Sequence, residues 1–470
     1  MELKLKEILK IIDGDLIIGN ENETIEKFSY DTRTIQKGDI YIGFKGEKID
    51  GSIYWEEAFE KGAKVVIIGN IELDENNIKK YKDEGKTIIK VENTLKAFGQ
   101  IAKYKRELYN IPIIGITGSV GKTSTKDIIA SVVSQKYNTL KTEGNNNNHI
   151  GLPSTLLRLK NEEAAVVEMG MNHLEEIRYL SEIAKPTIAV ITNIGTSHIG
   201  NLGSRANILK AKLEILDGMQ EKKVIINNDN DLLHKWYEEN KDKYTIITYG
   251  INNESDIMAK DIEKNEEGSL FTCKTRQGNM KIEVPVGGEH FIYNAMCAVA
   301  VGKELTLSDN EICRGIKMLQ LTKKRMEIIQ LKNQITLIND TYNASLESIS
   351  ASLKYISGEN KKRKVAVLGD VLELGEFSKE LHEKIGEEVV KNKIDLLICT
   401  GKNSKHIIQK AISLGMSKEN VYYEDDIQNV IQRIEKEMKQ GDIILVKASN
   451  GMKFYNISNE LTSRYIENNK

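Results

Sequence analysis

The chain has 470 residues, of which 40% are hydrophobic, and its formal net charge is −2. This hydrophobic content supports globular cores, and at roughly 100–200 residues per domain the length predicts about three domains. The near-neutral charge gives no reason to expect nucleic-acid binding, and the lack of a signal-peptide core or a long apolar run predicts a soluble, cytoplasmic protein without membrane insertion.

The first predicted domain, residues 1–93, mixes short strands with turns. An amphipathic stretch, Thr94–Tyr109, follows it and leads through Pro112 to the strand of the next segment. The strands predicted in this first domain are Ile40–Phe44, Val65–Ile68 and Thr87–Val91.

A glycine-rich turn is the most informative motif of the chain. Residues 114–124 read IGITGSVGKTS, which is an apolar strand, a turn and the start of a helix. Glycines let backbone N–H groups approach phosphate oxygens, and the helix N-terminus adds a positive dipole end. Lys122 is placed to reach the outer phosphates and the Thr123 hydroxyl to hold Mg²⁺. The spacing departs from the usual phosphate loop, since an expected glycine falls on Ile116, so an ordinary strand–turn–helix corner is the alternative.

Strands alternate with helical patterns through the second predicted domain, residues 94–321. Short apolar runs that end in polar residues are typical of buried parallel strands with chemistry at their carboxyl ends. A β-rich excursion at Glu254–Val286 and an alanine-rich helix at Phe291–Lys303 complete this segment. The predicted strands are Ala164–Glu168, Thr187–Thr192 and Lys223–Asn228.

Three polar residues of this segment are candidates for metal chemistry. Glu168 ends one strand, where a carboxylate can reach a metal held by Thr123. His198 follows the next strand and is a candidate metal ligand, although a lone histidine is more often structural. Lys212 falls on a predicted helix, where most lysines are solvated, so its residue type and position alone indicate a surface lysine.

The third predicted domain, residues 322–470, is also α/β. Three of its strands finish in polar corners, one of them rich in glycine, and in an open parallel sheet that rim is where ligands bind. The predicted strands are Gln334–Asn339, Lys364–Leu368, Leu396–Thr400 and Asp442–Val446. The corners are Asp340–Ala344, Gly369–Gly375 and Lys447–Asn450.

Taken together, these strings resemble the Mur ligases, the ATP-dependent amide-bond-forming enzymes of peptidoglycan precursor synthesis. The resemblance covers nearly the whole chain in order, and the family's shortened phosphate loop accounts for the glycine spacing. The matching strings are Asp31–Arg33, Phe44–Glu47, Thr117–Thr123, Gly144–Asn148, Glu168–Gly170, Thr192–Gly195 with His198, Ala211–Ile215, Gly288–His290 with Asn294, Arg325, Asp340–Ala344 and Gly369–Gly375.

The resemblance implies a fold and a reaction. The fold is α/β, with an N-terminal uridine-nucleotide-binding domain for the UDP-MurNAc substrate, a central phosphate-loop ATPase-type parallel sheet and a C-terminal Rossmann-like domain on the dipeptide side. The C-terminal strings favour the branch that adds D-Ala-D-Ala to UDP-MurNAc-tripeptide. That reaction passes through an acyl phosphate and gives UDP-MurNAc-pentapeptide, ADP and phosphate.

The resemblance also implies roles for the matching residues. The catalytic set would be Lys122, Glu168, His198 and Lys212, the last of them as a carbamate. Two Mg²⁺ ions would be held by Thr123, Glu168, His198 and Lys212. ATP would contact Thr117, Gly118, Ser119, Val120, Gly121, Lys122, Thr123, Ser124, His290, Asn294, Arg325 and Asp340. The other substrates would contact Asp31, Thr32, Arg33, Lys45, Gly46, Asn146, Asn147, Asn148, Asn343, Asp370 and Glu373.

Four positions depart from the family pattern, and none of them removes a catalytic group. Serine replaces the usual histidine at position 52 and the usual proline at position 345. Lys324 and Ala448 stand where glycine is usual. These departures affect the geometry of the uridine site and of the C-terminal site.

Other interpretations remain open. A Mur-like ligase with another acceptor or amine is the main alternative, although the uridine-type first segment argues against a folylpolyglutamate synthetase. A phosphate-loop kinase or NTPase would leave the C-terminal corners without a role, and the four catalytic residues argue against a binding-only homologue. The third residue of the tripeptide and the exact acceptor dipeptide are undetermined.

Two further expectations concern the protein as a whole. The four cysteines include no C-x-x-C pair and predict buried free thiols in a reducing compartment. The charged helices suit a monomer.

Overall fold

Three sheets, in three consecutive parts of the chain, carry the fold. The computed structural model describes residues 3–265, 268–358 and 362–466. Its sheets have five, nine and six strands, and a two-stranded sheet accompanies the first of them. Most neighbouring strands are parallel with helices between them, so the predicted α/β class is confirmed.

The five-stranded sheet of the N-terminal domain has the order β2-β7-β6-β5-β4, and β1 pairs with β3 outside it. Only β2 runs antiparallel to its neighbour in this sheet. The strands are β1 Leu3–Lys4, β2 Asp15–Ile18, β3 Thr24–Ile25, β4 Phe28–Ser29, β5 Ile40–Ile42, β6 Val65–Ile68 and β7 Thr87–Lys90. The helices are α1 Leu5–Ile12, α2 Trp55–Glu60 and α3 Glu75–Asp83.

The nine-stranded sheet of the central domain has the order β16-β15-β14-β13-β12-β11-β8-β10-β9. Pairing is parallel from β9 to β14 and antiparallel through β15 and β16. The strands are β8 Ile113–Thr117, β9 Thr139–Lys141, β10 Ala164–Glu168, β11 Ile188–Ile191, β12 Lys223–Asn227, β13 Thr245–Gly250, β14 Ile257–Asn265, β15 Gly268–Thr275 and β16 Gly278–Val284. The helices are α4 Thr94–Glu107, α5 Lys122–Val133, α6 Gly151–Leu157, α7 Glu176–Ala184, α8 Ile199–Leu202, α9 Arg205–Leu213, α10 Asp231–Asn240, α11 Glu289–Glu304 and α12 Asp309–Lys317.

The six-stranded sheet of the C-terminal domain has the order β17-β18-β22-β19-β20-β21, and only β17 is antiparallel to its neighbour. The strands are β17 Glu327–Leu331, β18 Ile335–Asn339, β19 Lys364–Gly369, β20 Leu396–Thr400, β21 Val421–Tyr423 and β22 Ile443–Lys447. The helices are α13 Leu346–Ser357, α14 Ser378–Lys391, α15 Ser404–Ser413, α16 Ile427–Glu437 and α17 Tyr455–Tyr465. In the described parts of all three domains, short 3₁₀ turns lie at Thr32–Thr34, Gly51–Tyr54, Glu214–Leu216, Gly375–Phe377, Lys418–Asn420 and Asn450–Met452.

Every predicted strand falls on an observed one, with shifts of no more than two residues at an end. The β-rich excursion is the β14–β15–β16 meander that extends the sheet, and the predicted alanine-rich helix lies within α11. The amphipathic stretch is α4, which packs on α1 on one side and on α6 and α7 on another. The domain limits at residues 93 and 321 remain predictions.

The cysteines follow the expectation with one exception. Cys273, Cys297 and Cys399 are buried free thiols, and burial raises the pKa of Cys273 to about 12. Cys313 is only half-buried, because α12 lies at the surface over β16 and turns this position toward its edge. No helix among the described residues combines the length and the apolar character that crossing a bilayer requires.

The phosphate-loop helix α5 is packed closely by α12. A Cβ atom placed on Gly315 would lie 2.5 Å from Val132 Cα, closer than real contacts allow. The backbone of α5 therefore depends on the absence of a side chain at this position.

We predict that Gly315→Ala lowers the free energy of unfolding by about 1–2 kcal/mol, because the overlap with α5 outweighs the better helix propensity of alanine. Urea denaturation followed by circular dichroism measures the change. Gly358→Ala is the matched control, since its Cβ would meet only Tyr355 O at 3.4 Å. Equal stability of the two variants would contradict the prediction.

Candidate active site

The phosphate loop lies at the centre of the nine-stranded sheet. Its strand, β8, has β10 on one side and β11 on the other, so chain connections leave in both directions from this point. In open α/β sheets such a switch point creates a crevice at the carboxyl ends of the strands. Gly121, with φ +84°, ends the turn and is followed at once by the first residue of α5, Lys122.

The loop that follows β11 holds the phosphate loop in place. The side-chain amide of Asn193 accepts a hydrogen bond from Val120 N at 2.9 Å and donates one to Val120 O at 2.9 Å. Thr192 Oγ1 also donates to Val120 O, at 2.7 Å, and Ser119 N donates to Asn193 O at 3.0 Å. These four hydrogen bonds tie the turn before Gly121 to the end of the neighbouring strand β11.

Thr123 and Glu168, beside the loop, are hydrogen-bonded to each other. Thr123 Oγ1 donates to Glu168 Oε2 at 2.8 Å, and both residues are buried. Asn147 Nδ2 donates to the other carboxylate oxygen at 2.8 Å, and Arg325 Nη2 donates to Thr123 Oγ1 at 2.7 Å. A hydroxyl and a carboxylate at this distance are the hard oxygen donors that Mg²⁺ prefers.

The ammonium groups of Lys122 and Lys212 are enclosed by protein, and this enclosure lowers the pKa of both. Lys122 Nζ donates to Gly118 O at 2.8 Å, and enclosure of the ammonium by protein lowers its pKa although the residue keeps some exposed surface. Lys212 is only 1% exposed, and among the described residues its ammonium has no hydrogen-bond or ion-pair partner. Burial, then the charge of Lys122, hold the pKa of Lys212 well below its usual value. The expectation that a helical lysine here is solvated is therefore wrong.

His198 is held by the C-terminal domain. Its Nδ1 lies 2.7 Å from Glu373 Oε2, and Gly200 N donates to Glu373 O at 3.1 Å. The hydrogen bond to His198 lowers the pKa of Glu373. A carboxylate on Nδ1 orients an imidazole with Nε2 as its ligating nitrogen, the arrangement common in metal sites.

Asn294, on α11, carries a buried hydrogen-bond donor that has no partner. Asn294 Oδ1 accepts a hydrogen bond from Thr125 Oγ1 at 3.0 Å, but Asn294 Nδ2 is buried and unpaired. His290 precedes it by one turn of α11, and burial lowers the pKa of this imidazole to about 4. An uncharged histidine and an unpaired amide donor suit a neutral heteroaromatic base such as adenine.

The Asp340 carboxylate is bound by groups of its own domain. Its carboxylate lies 2.5 Å from Lys447 Nζ, and it also accepts hydrogen bonds from Ser352 Oγ and Met326 N. The buried Lys447 ammonium is the main partner that lowers the pKa of Asp340 against the opposing effect of burial. The predicted contact of Asp340 with ATP therefore has to share the carboxylate with this ion pair.

A cavity of about 590 Å³ lies between the central and C-terminal domains. Its walls include the residues 119–124 of the phosphate loop and many other predicted site residues. These are Asn147, Asn148, Glu168, His198, His290, Asn294, Arg325, Asp340 and Asn343. Thr117, Gly118, Asn146, Lys212, Asp370 and Glu373 do not line it. Lining residues that the sequence did not indicate include Tyr249, Tyr293 and Glu347.

Two of the residues outside the cavity have clear structural roles. Asp370 accepts hydrogen bonds from Asn403 N and Ser404 N, at 3.0 and 2.7 Å, and so holds the start of α15. Gly118, with φ +150°, has Thr192 Oγ1 where a side chain would be. A substrate contact of Asp370 remains a prediction.

The predicted uridine-site residues lie in the N-terminal domain and do not reach this cavity. Asp31 caps the turn Thr32–Thr34 and pairs with Arg33 at 2.6 Å, which lowers the pKa of Asp31 to about 2. Thr32 Oγ1 donates to Glu57 Oε1 at 2.9 Å. Lys45 pairs with Asp50 across a β-bridge, and Gly46 N donates to Ile49 O within it. Their role toward a uridine nucleotide remains a prediction.

The joint between the central and C-terminal domains is ordered by several contacts. Thr322 donates from both N and Oγ1 to Asp127 Oδ2 on α5, at 3.0 and 2.8 Å. Lys324 has φ +65°, a left-handed conformation that explains why glycine is usual at this position. Its ammonium lies 4.1 Å from the centre of the Tyr455 ring, and its carbonyl accepts a hydrogen bond from Tyr342 N.

Three family models match the chain in consecutive parts. They are the Mur ligase family, catalytic domain, at residues 24–106, the Mur ligase middle domain at residues 116–302, and the Mur ligase, glutamate ligase domain, at residues 324–450.

Similar proteins extend over the full length of the chain. The UDP-N-acetylmuramoyl-tripeptide--D-alanyl-D-alanine ligase of Bacillus subtilis is 37% identical over 97% of this chain and 98% of its own. A crystal structure of MurF from Acinetobacter baumannii superposes with a TM-score of 0.88 and 28% identity, over 98% of this chain and 99% of its own. The MurF ligase of Thermotoga maritima in complex with ADP has a TM-score of 0.81 and 26% identity, over 93% and 98% of the two chains.

A phosphate loop at the switch point of a parallel sheet, facing a second α/β domain, defines a nucleotide-dependent enzyme of three domains. The chain belongs to the Mur ligase family. The resemblance inferred from the sequence motifs is thereby confirmed.

We predict that Lys447→Met destabilises the protein by about 3–5 kcal/mol, because it leaves the Asp340 carboxylate buried without its counter-charge. Thermal and urea denaturation at neutral pH measure the loss. Lys402→Met, which removes an exposed ammonium of the same domain, should leave stability within about 0.5 kcal/mol. A Lys447 variant as stable as this control would contradict the role given to the ion pair.

Proposed function

We propose that the chain is an ATP-dependent ligase that joins D-Ala-D-Ala to UDP-MurNAc-tripeptide and gives UDP-MurNAc-pentapeptide, ADP and phosphate. The observation that carries this proposal is the 37% identity to the Bacillus subtilis ligase of that name over 97% of the chain. The cavity between the central and C-terminal domains, with the phosphate loop in its wall, supports it.

The reaction has two steps. The terminal carboxylate of the tripeptide attacks the γ-phosphorus of ATP, which forms an acyl phosphate and releases ADP. The amine of D-Ala-D-Ala then attacks the acyl carbon, the new C–N bond replaces the C–O bond, and phosphate leaves. Phosphoryl transfer of this kind needs charge stabilisation and positioning more than covalent help from the protein.

The residues of the cavity suit those two needs. The N–H groups at the start of α5 and the ammonium of Lys122 bind the outer phosphates, and Arg325 adds a second positive charge from the C-terminal domain. The Arg325 guanidinium stacks on the Tyr342 ring at 3.9 Å, which fixes its direction. Asn294 and His290 bind the base. Both domains therefore contribute to one nucleotide site.

Two Mg²⁺ ions are part of the proposal. Thr123 and Glu168 would hold one, and His198 with a carbamylated Lys212 would hold the other. Phosphate oxygens of ATP would complete the ligands of both ions. Bound Mg²⁺ neutralises phosphate charge during the transfer. An uncharged amine is the form that reacts with CO₂, and the lowered pKa of Lys212 favours it.

The remaining assignments complete the proposal. The N-terminal domain binds the uridine nucleotide of the acceptor, with Asp31, Thr32, Arg33, Lys45 and Gly46 as its contacts. Asn343 and Glu373 lie on the dipeptide side. Because its substrates are ATP and a nucleotide-linked precursor, we propose a cytoplasmic enzyme. Its charged helices suit a monomer.

Phosphate release in the presence of UDP-MurNAc-tripeptide, ATP, Mg²⁺ and D-Ala-D-Ala should require all four components. Mass spectrometry should show the pentapeptide product. Release that occurs with a single amino acid, or without any amine, would contradict the proposal. D-Ala-D-lactate and D-Ala-D-serine in place of D-Ala-D-Ala define the acceptor range.

Lys212→Ala should lower kcat by about 10³-fold or more, because it removes the anionic ligand that carbamylation supplies. Acetate or formate should restore part of the activity by filling the place of the missing carboxylate. Lys210→Ala, an exposed lysine of the same helix, is the control and should keep wild-type kcat. A fully active Lys212 variant, or one that carboxylates never rescue, would contradict the carbamate role.

A further inference from the structure

Two carboxylates of the C-terminal domain contact the loop that follows β11. Glu373 lies against His198, and Glu347 lies against Thr196, two residues earlier in the chain. This loop is the one whose residues 192 and 193 hold the phosphate loop through Val120. Only residues 194 and 195 separate Asn193, which holds the phosphate loop, from Thr196, which contacts Glu347.

Glu347 makes the more specific of the two contacts. Its Oε1 accepts a hydrogen bond from Thr196 N at 2.7 Å, and its Oε2 accepts one from Thr196 Oγ1 at 3.2 Å. Both carboxylate oxygens are therefore engaged by one residue of the other domain. Hydrogen bonds to an ionised carboxylate are about twice as strong as neutral ones.

The surroundings of this contact are shaped for a carboxylate. A Cβ atom on Gly195 would lie 2.6 Å from Glu347 Cδ, so only glycine lets the carboxylate reach Thr196 N. Arg205 donates to Ile194 O at 2.8 Å, and its guanidinium is paired with Asp231 of α10. The glycine at 195 thus provides the space on the central-domain side, and the backbone and hydroxyl of Thr196 provide the donors.

The N-cap hydrogen bonds of α13 do not use the Glu347 side chain. α13 begins with a capping box in which Ser345 Oγ accepts from Ser348 N and Ser348 Oγ accepts from Ser345 N. Glu347 stands in the first turn, and neither of these capping bonds engages its carboxylate. The carboxylate points across the domain boundary instead, into the wall of the cavity.

We propose that Glu347 is a positioning residue that fastens the C-terminal domain to the phosphate loop in the closed enzyme. Its contact with Thr196 brings α13 and the preceding corner against the nucleotide site, where Arg325 reaches Thr123. Without it, the closed arrangement is less populated and the apparent affinity for ATP falls in proportion. This inference rests on the proposed function, because it assigns Glu347 to the ATP site of that ligase.

The test compares Glu347→Ala and Glu347→Gln with the wild-type ligase. Loss of both hydrogen bonds should lower kcat/KM for ATP about tenfold or more, and glutamine, which keeps one acceptor, should lower it by about threefold. Binding of a non-hydrolysable ATP analogue should weaken by similar factors, measured by calorimetry. Tm should stay within about 2 °C of wild type, because the contact consists of two hydrogen bonds at the cavity wall and removes no buried apolar side chain.

Glu419→Ala is the matched control, since it removes an exposed carboxylate of the same domain. A double-mutant cycle of Glu347→Ala with Thr196→Val identifies the partner, because two groups in contact give non-additive losses. Variants of Glu347 that match this control, additive losses in the cycle, or a loss of activity that only follows a fall in Tm would each overturn the proposal.

Failure of the ligase function itself is visible separately. If the wild-type protein releases no phosphate with tripeptide and D-Ala-D-Ala but still binds the ATP analogue, the reaction assignment fails. The effect of Glu347 on analogue binding can still be measured in that case and decides the positioning role by itself.

Discussion

The two hydrogen bonds between the Asn193 amide and the backbone of Val120 are the interaction on which the site depends. They fix a phosphate loop whose glycine spacing departs from the usual one, since Ile116 stands where a glycine is expected. The same stretch of chain continues to Thr196 and His198, the residues that meet the C-terminal domain. One short loop therefore sets the shape of the phosphate site and receives the second half of the enzyme. Both functions require a rigid loop. The side chains of Thr192 and Asn193 accordingly donate hydrogen bonds to the backbone of the phosphate loop.

Charge burial is the second constraint. Lys122, Lys212 and Lys447 are enclosed in protein, and only Lys447 has a carboxylate, that of Asp340, as its partner. A buried cation without a counter-ion is costly, and the cost is met either by loss of the proton or by the arrival of an anion. The site is thus arranged for negatively charged ligands near Lys122, while the pair in the C-terminal domain is already neutralised.

The sequence predicted the elements better than their contacts. Strands such as Val65–Ile68 and Ala164–Glu168 are buried on both faces, so their apolar runs mark their limits. The glycine-rich turn before Lys122 marks the phosphate loop, and the position of Glu168 at the end of a neighbouring strand places it at the same edge of the sheet. The burial of Lys212 and the interdomain contact of Glu347 have no local signal, since each depends on elements distant in the chain. The sequence places Asp370 at the rim of the sheet, because it follows a strand. Its carboxylate instead binds the start of α15, which the local sequence does not indicate.

Lys324 has a consequence for the motion of the C-terminal domain. Glycine at such a position samples both signs of φ, so a glycine joint lets the attached domain explore many orientations. A lysine held at φ +65° by Tyr342 and Tyr455 explores few of them. The conformational entropy that a flexible joint would lose each time the domains come together is smaller here, because much of it was already lost on folding. The joint at Lys324 thus restricts the orientations of the C-terminal domain while the two domains are apart. It thereby lowers the conformational entropy lost when they come together.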